Sequence, residues 1–201
     1  MNILHPDLST SEAAIAPFLT ERKFYSNADT FWLQIEDAIL SASESNNGIT
    51  PFTYAFAPGI YQFLTVGGGE IFTPDLLHDF IEKLSSLARE KLNLQHVSTP
   101  QLRLYLRGCS RTLARDDIEA GWHYIFCLTP PARRRSMQVR IAGQAIQDGK
   151  APLLTLQRVT RFQLEFNQLL VTNIEYPYSI ESGSSSMNPL EGLMFLDGYI
   201  W

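Results

Sequence analysis

From Gln101 onward the chain is a succession of short apolar segments separated by turn residues, and no other feature constrains its fold as tightly. The segments are QLRLYLRGC, GWHYIFCLTP, RSMQVRIA, PLLTLQRV, RFQLEF, QLLVTNI, YSIE and GLMFLDGYI, with hardly any helical periodicity among them. A short strand cannot bury its face alone. Many of them at a spacing of roughly 8 to 12 residues indicate a β-sandwich or barrel.

The first half of the chain reads differently. TPDLLHDFIEKLSSLAREKLN, from Thr73 to Asn93, places Leu76, Leu77, Phe80, Ile81, Leu84, Leu87, Ala88 and Leu92 at helical spacing, with Thr73 as N-cap and Pro74 at the first helical position. A second helix is predicted over Asp29 to Ala42, with Phe31, Trp32, Ile35, Ile39 and Leu40 on one face, and a third, shorter one over Ser11 to Thr20. Ser41 to Thr50 has the polar composition of a surface loop. Phe52 to Val66, broken by Pro58-Gly59, reads as two strands joined by a turn. Gly67-Gly68-Gly69 then reads as a flexible turn, because it lacks the Lys-Ser/Thr and the spacing of a phosphate loop.

These pieces predict an α+β chain: supporting helices laid on one outer face of a jelly-roll-like β domain. A length of 201 residues with 45% hydrophobic composition suits one domain. Its parts are an N-terminal helical extension (1–50), a strand pair with its helix (51–100) and the β core (101–201). A net charge of -5 leaves no excess of cations to neutralise phosphates, so nucleic acid is not an expected partner. Met1 to Ser9 lacks the basic and apolar regions of a secretion signal, and no apolar run reaches the roughly 20 residues a bilayer demands. A cytoplasmic location without a membrane partner is expected. Cys109 and Cys127 form no CxxC pair and read as ordinary thiols.

The order of elements resembles the prolyl-4-hydroxylase-like branch of the iron(II)/2-oxoglutarate oxygenases, whose core is a double-stranded β-helix preceded by helices. Tyr105-Leu106-Arg107-Gly108 fits the family's Tyr-x-x-Gly, and an ungapped count from Gly108 sets Ala114-Arg115-Asp116 on its iron-binding His-x-Asp. A register one residue later sets Arg115-Asp116-Asp117 there, and either register lacks the histidine. Phe166 to Val171 matches the strand before the second iron histidine, whose position Tyr178 takes; in the closing GLMFLDGYIW, Leu193 takes that of the oxoglutarate-binding arginine. Of the four functional positions only Asp116 keeps the family's residue.

A facial triad of two imidazoles and one carboxylate holds Fe(II) with open positions for oxo acid and dioxygen. Alanine has no lone pair to offer, a neutral phenol is a poor Fe(II) ligand, and leucine cannot grip a carboxylate. No iron or oxoglutarate is therefore expected as cofactor unless the ligands are misaligned. Three readings follow. In the first, the β-helix is a non-oxidative scaffold whose cavity takes a small molecule or whose surface takes a protein partner. In the second it is a metal-independent enzyme for cyclisation, isomerisation or hydrolysis, with Asp116 and Tyr178 as acid and base and Arg103 or Arg107 orienting an anion. The third is a true oxygenase with other ligands.

Tyr105, Asp117 and His123 are further candidates for the cavity. Strand alternation sets His123, Ile125 and Cys127 on one face and Trp122, Tyr124 and Phe126 on the other, without saying which faces inward. Arg133-Arg134-Arg135 reads as a solvated cluster and Ser182 to Ser186 as a loop, and no serine-hydrolase elbow is present.

Overall fold

The computed structural model describes residues 18–44, 51–114, 121–130, 137–142, 159–181 and 186–201. In chain order these form β1 (Phe18–Arg22), α1 (Ala28–Glu44), β2 (Thr53–Ala57), β3 (Tyr61–Gly67), α2 (Gly68–Ile71), α3 (Pro74–Leu92), β4 (Gln101–Tyr105), β5 (Ser110–Ala114), β6 (Trp122–Cys127), β7 (Met137–Ala142), β8 (Val159–Leu164), β9 (Gln168–Asn173) and β10 (Tyr178–Glu181). A 3-10 turn (Pro189–Glu191) and β11 (Leu193–Ile200) complete it.

All described strand pairs are antiparallel, in the order β1-β9-β6-β11-β4-β3-β5-β10-β7-β8, with β2 on the other side of β3. β3 is the hinge of this sheet. Its first residues pair with β5 (Tyr61 opposite Arg111) and its later ones with β4 (Leu64 opposite Leu104), so it belongs to both halves. The sheet therefore doubles over. β1-β9-β6-β11-β4 make one wall and β5-β10-β7-β8 the other, and the Phe18 and Phe162 rings meet at 4.6 Å between the far strands β1 and β8. This is a double-stranded β-helix.

Alternation along the strands sorts side chains into two cores. Leu102, Leu104, Tyr124, Phe126, Leu169, Val171, Met194 and Leu196 point outward and pack under α1 and α3, while Tyr105, Ile125, Cys127, Leu170, Leu193 and Phe195 point into the space between the walls. His123, in step with Ile125 and Cys127, therefore faces inward.

α3 forms where its apolar stripe predicts, with Thr73 at the N-cap and Asn93 closing it in the left-handed conformation (φ 56°). The Thr73 hydroxyl makes no cap hydrogen bond of its own and instead accepts from Gln34 Nε2 of α1 at 3.4 Å. Phe80 is the anchor of this layer. Its ring lies 5.1 to 6.4 Å from those of Phe24, Tyr25, Phe31, Tyr124 and Phe126, tying α3 to α1 and the sheet.

Several expectations are corrected. Phe18 to Thr20, predicted as the end of a helix, belongs to strand β1, since pairing with β9 satisfies its backbone groups; the rest of that predicted helix lies outside the described residues. Ser110–Ala114, which lies in none of the predicted strands, is strand β5, held between β3 and β10. Gly67-Gly68-Gly69 is not a turn. Gly68 opens the helical turn α2, and its N–H donates to the Pro100 carbonyl at 3.0 Å, an approach so close that a Cβ would stand 2.7 Å from that oxygen. The predicted loop from Ser41 begins later, because α1 runs on to Glu44, and Leu40 is exposed rather than buried. The predicted strand RFQLEF lies mainly within β8, whose first residue ends PLLTLQRV, the rest of that segment being outside the described residues. Among the described residues no helix is long and apolar enough to cross a membrane.

Phe80→Ala should cost about 3–5 kcal/mol, measured by urea unfolding, because a cavity would open where the helix layer meets the sheet.

Candidate functional site

The strand register assembles a polar row across the inner face of the first wall. Thr65 of β3 stands opposite Arg103 of β4; Arg103 is opposite Phe195, so Asp197, two residues on, is its diagonal neighbour on β11. Asp197 is opposite Ile125, which makes His123 of β6 its diagonal neighbour on the other side. Diagonal pairs lie within reach of long side chains, and here every contact is made. Arg103 Nη1 donates to Thr65 Oγ1 at 2.8 Å, Arg103 Nε donates to Asp197 Oδ1 at 2.8 Å, and His123 Nε2 lies 3.3 Å from Asp197 Oδ2.

Burial alone would raise the Asp197 carboxyl; the charge of Arg103, with the hydrogen bonds from His123 and Arg103, outweighs it and holds the group below its ordinary range. Burial likewise opposes the charge of Arg103, and the Asp197 carboxylate reverses that too, raising the guanidinium. Both partners move in the direction that favours a charged pair. Aromatic rings enclose the row: Phe63 lies 4.7 Å beneath the Arg103 guanidinium and stacks on Tyr105, which meets Phe195.

The second wall contributes Tyr178, at the start of β10. Its ring stacks on His123 (centroids 4.9 Å, planes 20° apart), and the Arg111 guanidinium of β5 sits 4.3 Å above it. Tyr178 is also the register partner of Ala114. The two positions that the family resemblance assigns to iron histidines are thus adjacent across one strand pair.

Of the sequence candidates, Tyr105, Arg103, His123 and Tyr178 line the interior. Arg107 does not: it is exposed on the turn before Gly108, and its N–H donates to the Ser186 carbonyl. The Tyr-x-x-Gly turn itself forms, with Gly108 at φ +84°. Asp116 and Asp117 lie outside the described residues, as do Arg133-Arg134-Arg135 and Ser182 to Ser185. Leu193 is fully buried opposite Tyr105. Both cysteines are free; burial pushes the Cys127 thiol up to about 11, as befits an inert core residue.

Sequence reasoning passed over Asp197 and Thr65. A signal for the former was present, since an acid in the middle of LMFLDGYI cannot be buried without a partner. Among the described residues no three His, Cys, Asp or Glu side chains come together as a metal-ligand group.

The row makes a stability claim. Asp197→Ala leaves the Arg103 charge without its partner and should cost about 3–5 kcal/mol in urea unfolding, whereas removing the whole row (Arg103→Met, Asp197→Leu, His123→Phe) should recover most of that loss. Because the folded-state carboxyl is depressed, the stability it lends is fully present above its unfolded value of about 3.9 and is lost as pH falls through the folded value. The stability difference between wild type and Asp197→Ala should therefore be flat near neutrality and shrink in acid below about pH 4.

No protein-family model matches the chain, and no curated protein matches its sequence. Solved structures do match. A prolyl-4-hydroxylase of Pseudomonas putida superposes with a TM-score of 0.54 at 16% identity, covering 92% of this chain and 91% of that one. The non-heme alpha ketoglutarate dependent carbocyclase SnoK of nogalamycin biosynthesis gives 0.65 at 11% identity, covering 96% and 83%. The epimerase SnoN of the same biosynthesis, also alpha ketoglutarate dependent, gives 0.65 at 9%, covering 93% and 78%. The chain shares the double-stranded β-helix fold of the iron(II)/2-oxoglutarate oxygenases.

Proposed function

We propose that this protein is a non-oxidative form of the oxygenase fold, a barrel that binds its ligand without iron or 2-oxoglutarate. The observation that carries the reading is the pairing of Tyr178 with Ala114: two positions that should each present an imidazole are adjacent, and neither residue supplies one. The Tyr178 ring is packed between the His123 ring and the Arg111 guanidinium. A neutral phenol so placed is a poor donor to Fe(II), and alanine is none.

The oxoglutarate side fits no better. Leu193 has no charge to offer a carboxylate, and Arg103 on the inner face already engages Asp197 through Nε and Thr65 through Nη1. His123 engages the Asp197 carboxylate through Nε2, and among the described residues no three His, Cys, Asp or Glu side chains gather as a ligand group.

The test is turnover. Incubation with Fe(II), 2-oxoglutarate, ascorbate and dioxygen should release no succinate above the no-enzyme rate, and catalytic succinate release would establish the chain as an oxygenase with other ligands. A complementary outcome is expected from Ala114→His/Tyr178→His. Restoring both imidazoles should raise affinity for Ni(II), used as a redox-silent substitute, by at least about tenfold in calorimetry, because two adjacent imidazoles supply ligands that alanine and a neutral phenol do not.

A further inference from the structure

The β2–β3 hairpin leaves one edge of the sheet open. β3 pairs with β2 along one side and with β4 and β5 along the other, while among the described residues no strand pairs with the far side of β2. The Ala57 carbonyl turns into the hairpin, accepting from the Ile60 N–H at 3.0 Å, so strand alternation gives Tyr54 and Phe56 the N–H and C=O groups that point away from β3. Such an edge is a template for another strand, and proteins ordinarily blunt it with charge. The two ends of the main sheet are blunted in this way, since β1 carries Glu21 and Arg22 and β8 carries Arg161. β2 reads TYAFA, with no charge, proline or bulge.

Its side chains are exposed at the same place. Ala55 packs against the interior, which sends Tyr54 and Phe56 to the outer face, where they are 62% and 57% exposed and stack with their planes 13° apart. Ile60, in the adjoining turn, is a further exposed apolar side chain. The strand itself says what fits beside it. TYAFA reads small, aromatic, small, aromatic, small in either direction about Ala55. An antiparallel copy centred on Ala55 therefore sets Tyr54 opposite Phe56 of the second copy, and Phe56 opposite its Tyr54. These are the outward-pointing residues, so each pair exchanges both backbone hydrogen bonds. All four rings then share one face, within the reach at which cross-strand aromatic pairs attract.

We propose that this protein forms a two-fold dimer in which β2 pairs antiparallel with β2 of a second copy, joining the two sheets edge to edge. Pro51 before the strand and Pro58 after it confine the ladder, and a two-fold pairing consumes both open edges, so assembly stops at two chains. The inference is independent of what the barrel binds, because the pairing uses only the outer edge.

Sedimentation velocity of the full chain tests it. Wild type should be a dimer at about 100 micromolar. Tyr54→Lys/Phe56→Lys and Tyr54→Glu/Phe56→Glu each set like charges across the two-fold axis and should raise the dissociation constant at least about tenfold; mixing the two should restore the dimer, because the register puts every lysine opposite a glutamate. Phe56→Pro removes an outward N–H from each copy without touching the β2–β3 ladder and should weaken the dimer about tenfold. A monomeric wild type overturns the proposal, including the case in which β2 takes up an extended peptide instead. A dimer undiminished by the lysine pair places the interface elsewhere, and folded lysine and glutamate variants that do not associate when mixed refute the register. Should the variants fail to fold, amide exchange of the wild type at the same concentration decides: protection of the Tyr54 and Phe56 N–H groups is expected, and free exchange at both overturns the proposal.

Discussion

A carboxylate sits inside the barrel, on an otherwise apolar strand, with a guanidinium on one side and an imidazole on the other. Asp197 is the residue around which the interior is organised, because its charge has nowhere to go but to its diagonal neighbours. Its two oxygens bind Arg103 and His123, which belong to the strands flanking β11. One side chain thereby fixes the register of β4, β11 and β6 with polar contacts whose geometry an apolar core could not specify as sharply. Such specificity comes at an energetic cost, since a buried ion pair repays its desolvation only when every remaining donor and acceptor is engaged. Here Arg103 Nε and Nη1 and both Asp197 oxygens are engaged.

The two walls of the barrel face each other across its interior, and ring contacts join them. Stacking of Tyr178 of β10 on His123 of β6 spans the same gap with two flat rings, and the Arg111 guanidinium covers the far face of the tyrosine. Contacts of this kind are worth about a kilocalorie each beyond the area they bury, far less than a structural metal, but they place no demand on redox state or ion supply.

How much of this was legible in the sequence depended on whether a signal was local. α3 announces itself through Thr73, Pro74 and an uninterrupted apolar stripe, and the β-helix through the spacing of its short strands. The strand Ser110–Ala114 was missed because Ser-Arg-Thr carries no apolar alternation; its strand character comes from pairing with β3 and β10, which are distant in the chain. The start of β1, Phe18 to Thr20, reads as helix for the same reason. Its partner β9 lies about 150 residues away, and Phe-Leu-Thr-Glu-Arg is as compatible with one conformation as with the other. Likewise Gly67 to Gly69 looked mobile because the Pro100 carbonyl that orders Gly68 is not a sequence neighbour. The site divides along the same line. The positions that the resemblance assigns to Ala114, Tyr178 and Leu193 can be counted along the chain, whereas the Thr65-Arg103-Asp197-His123 row exists only once four strands are in register.

The most direct measurement of whether the barrel has dispensed with iron is an anaerobic calorimetric titration of the wild-type chain with Fe(II) in the presence of 2-oxoglutarate. An interior held together by Asp197 and Tyr178 should give no saturable heat at micromolar metal. Stoichiometric binding in that range, dependent on 2-oxoglutarate, would contradict the account.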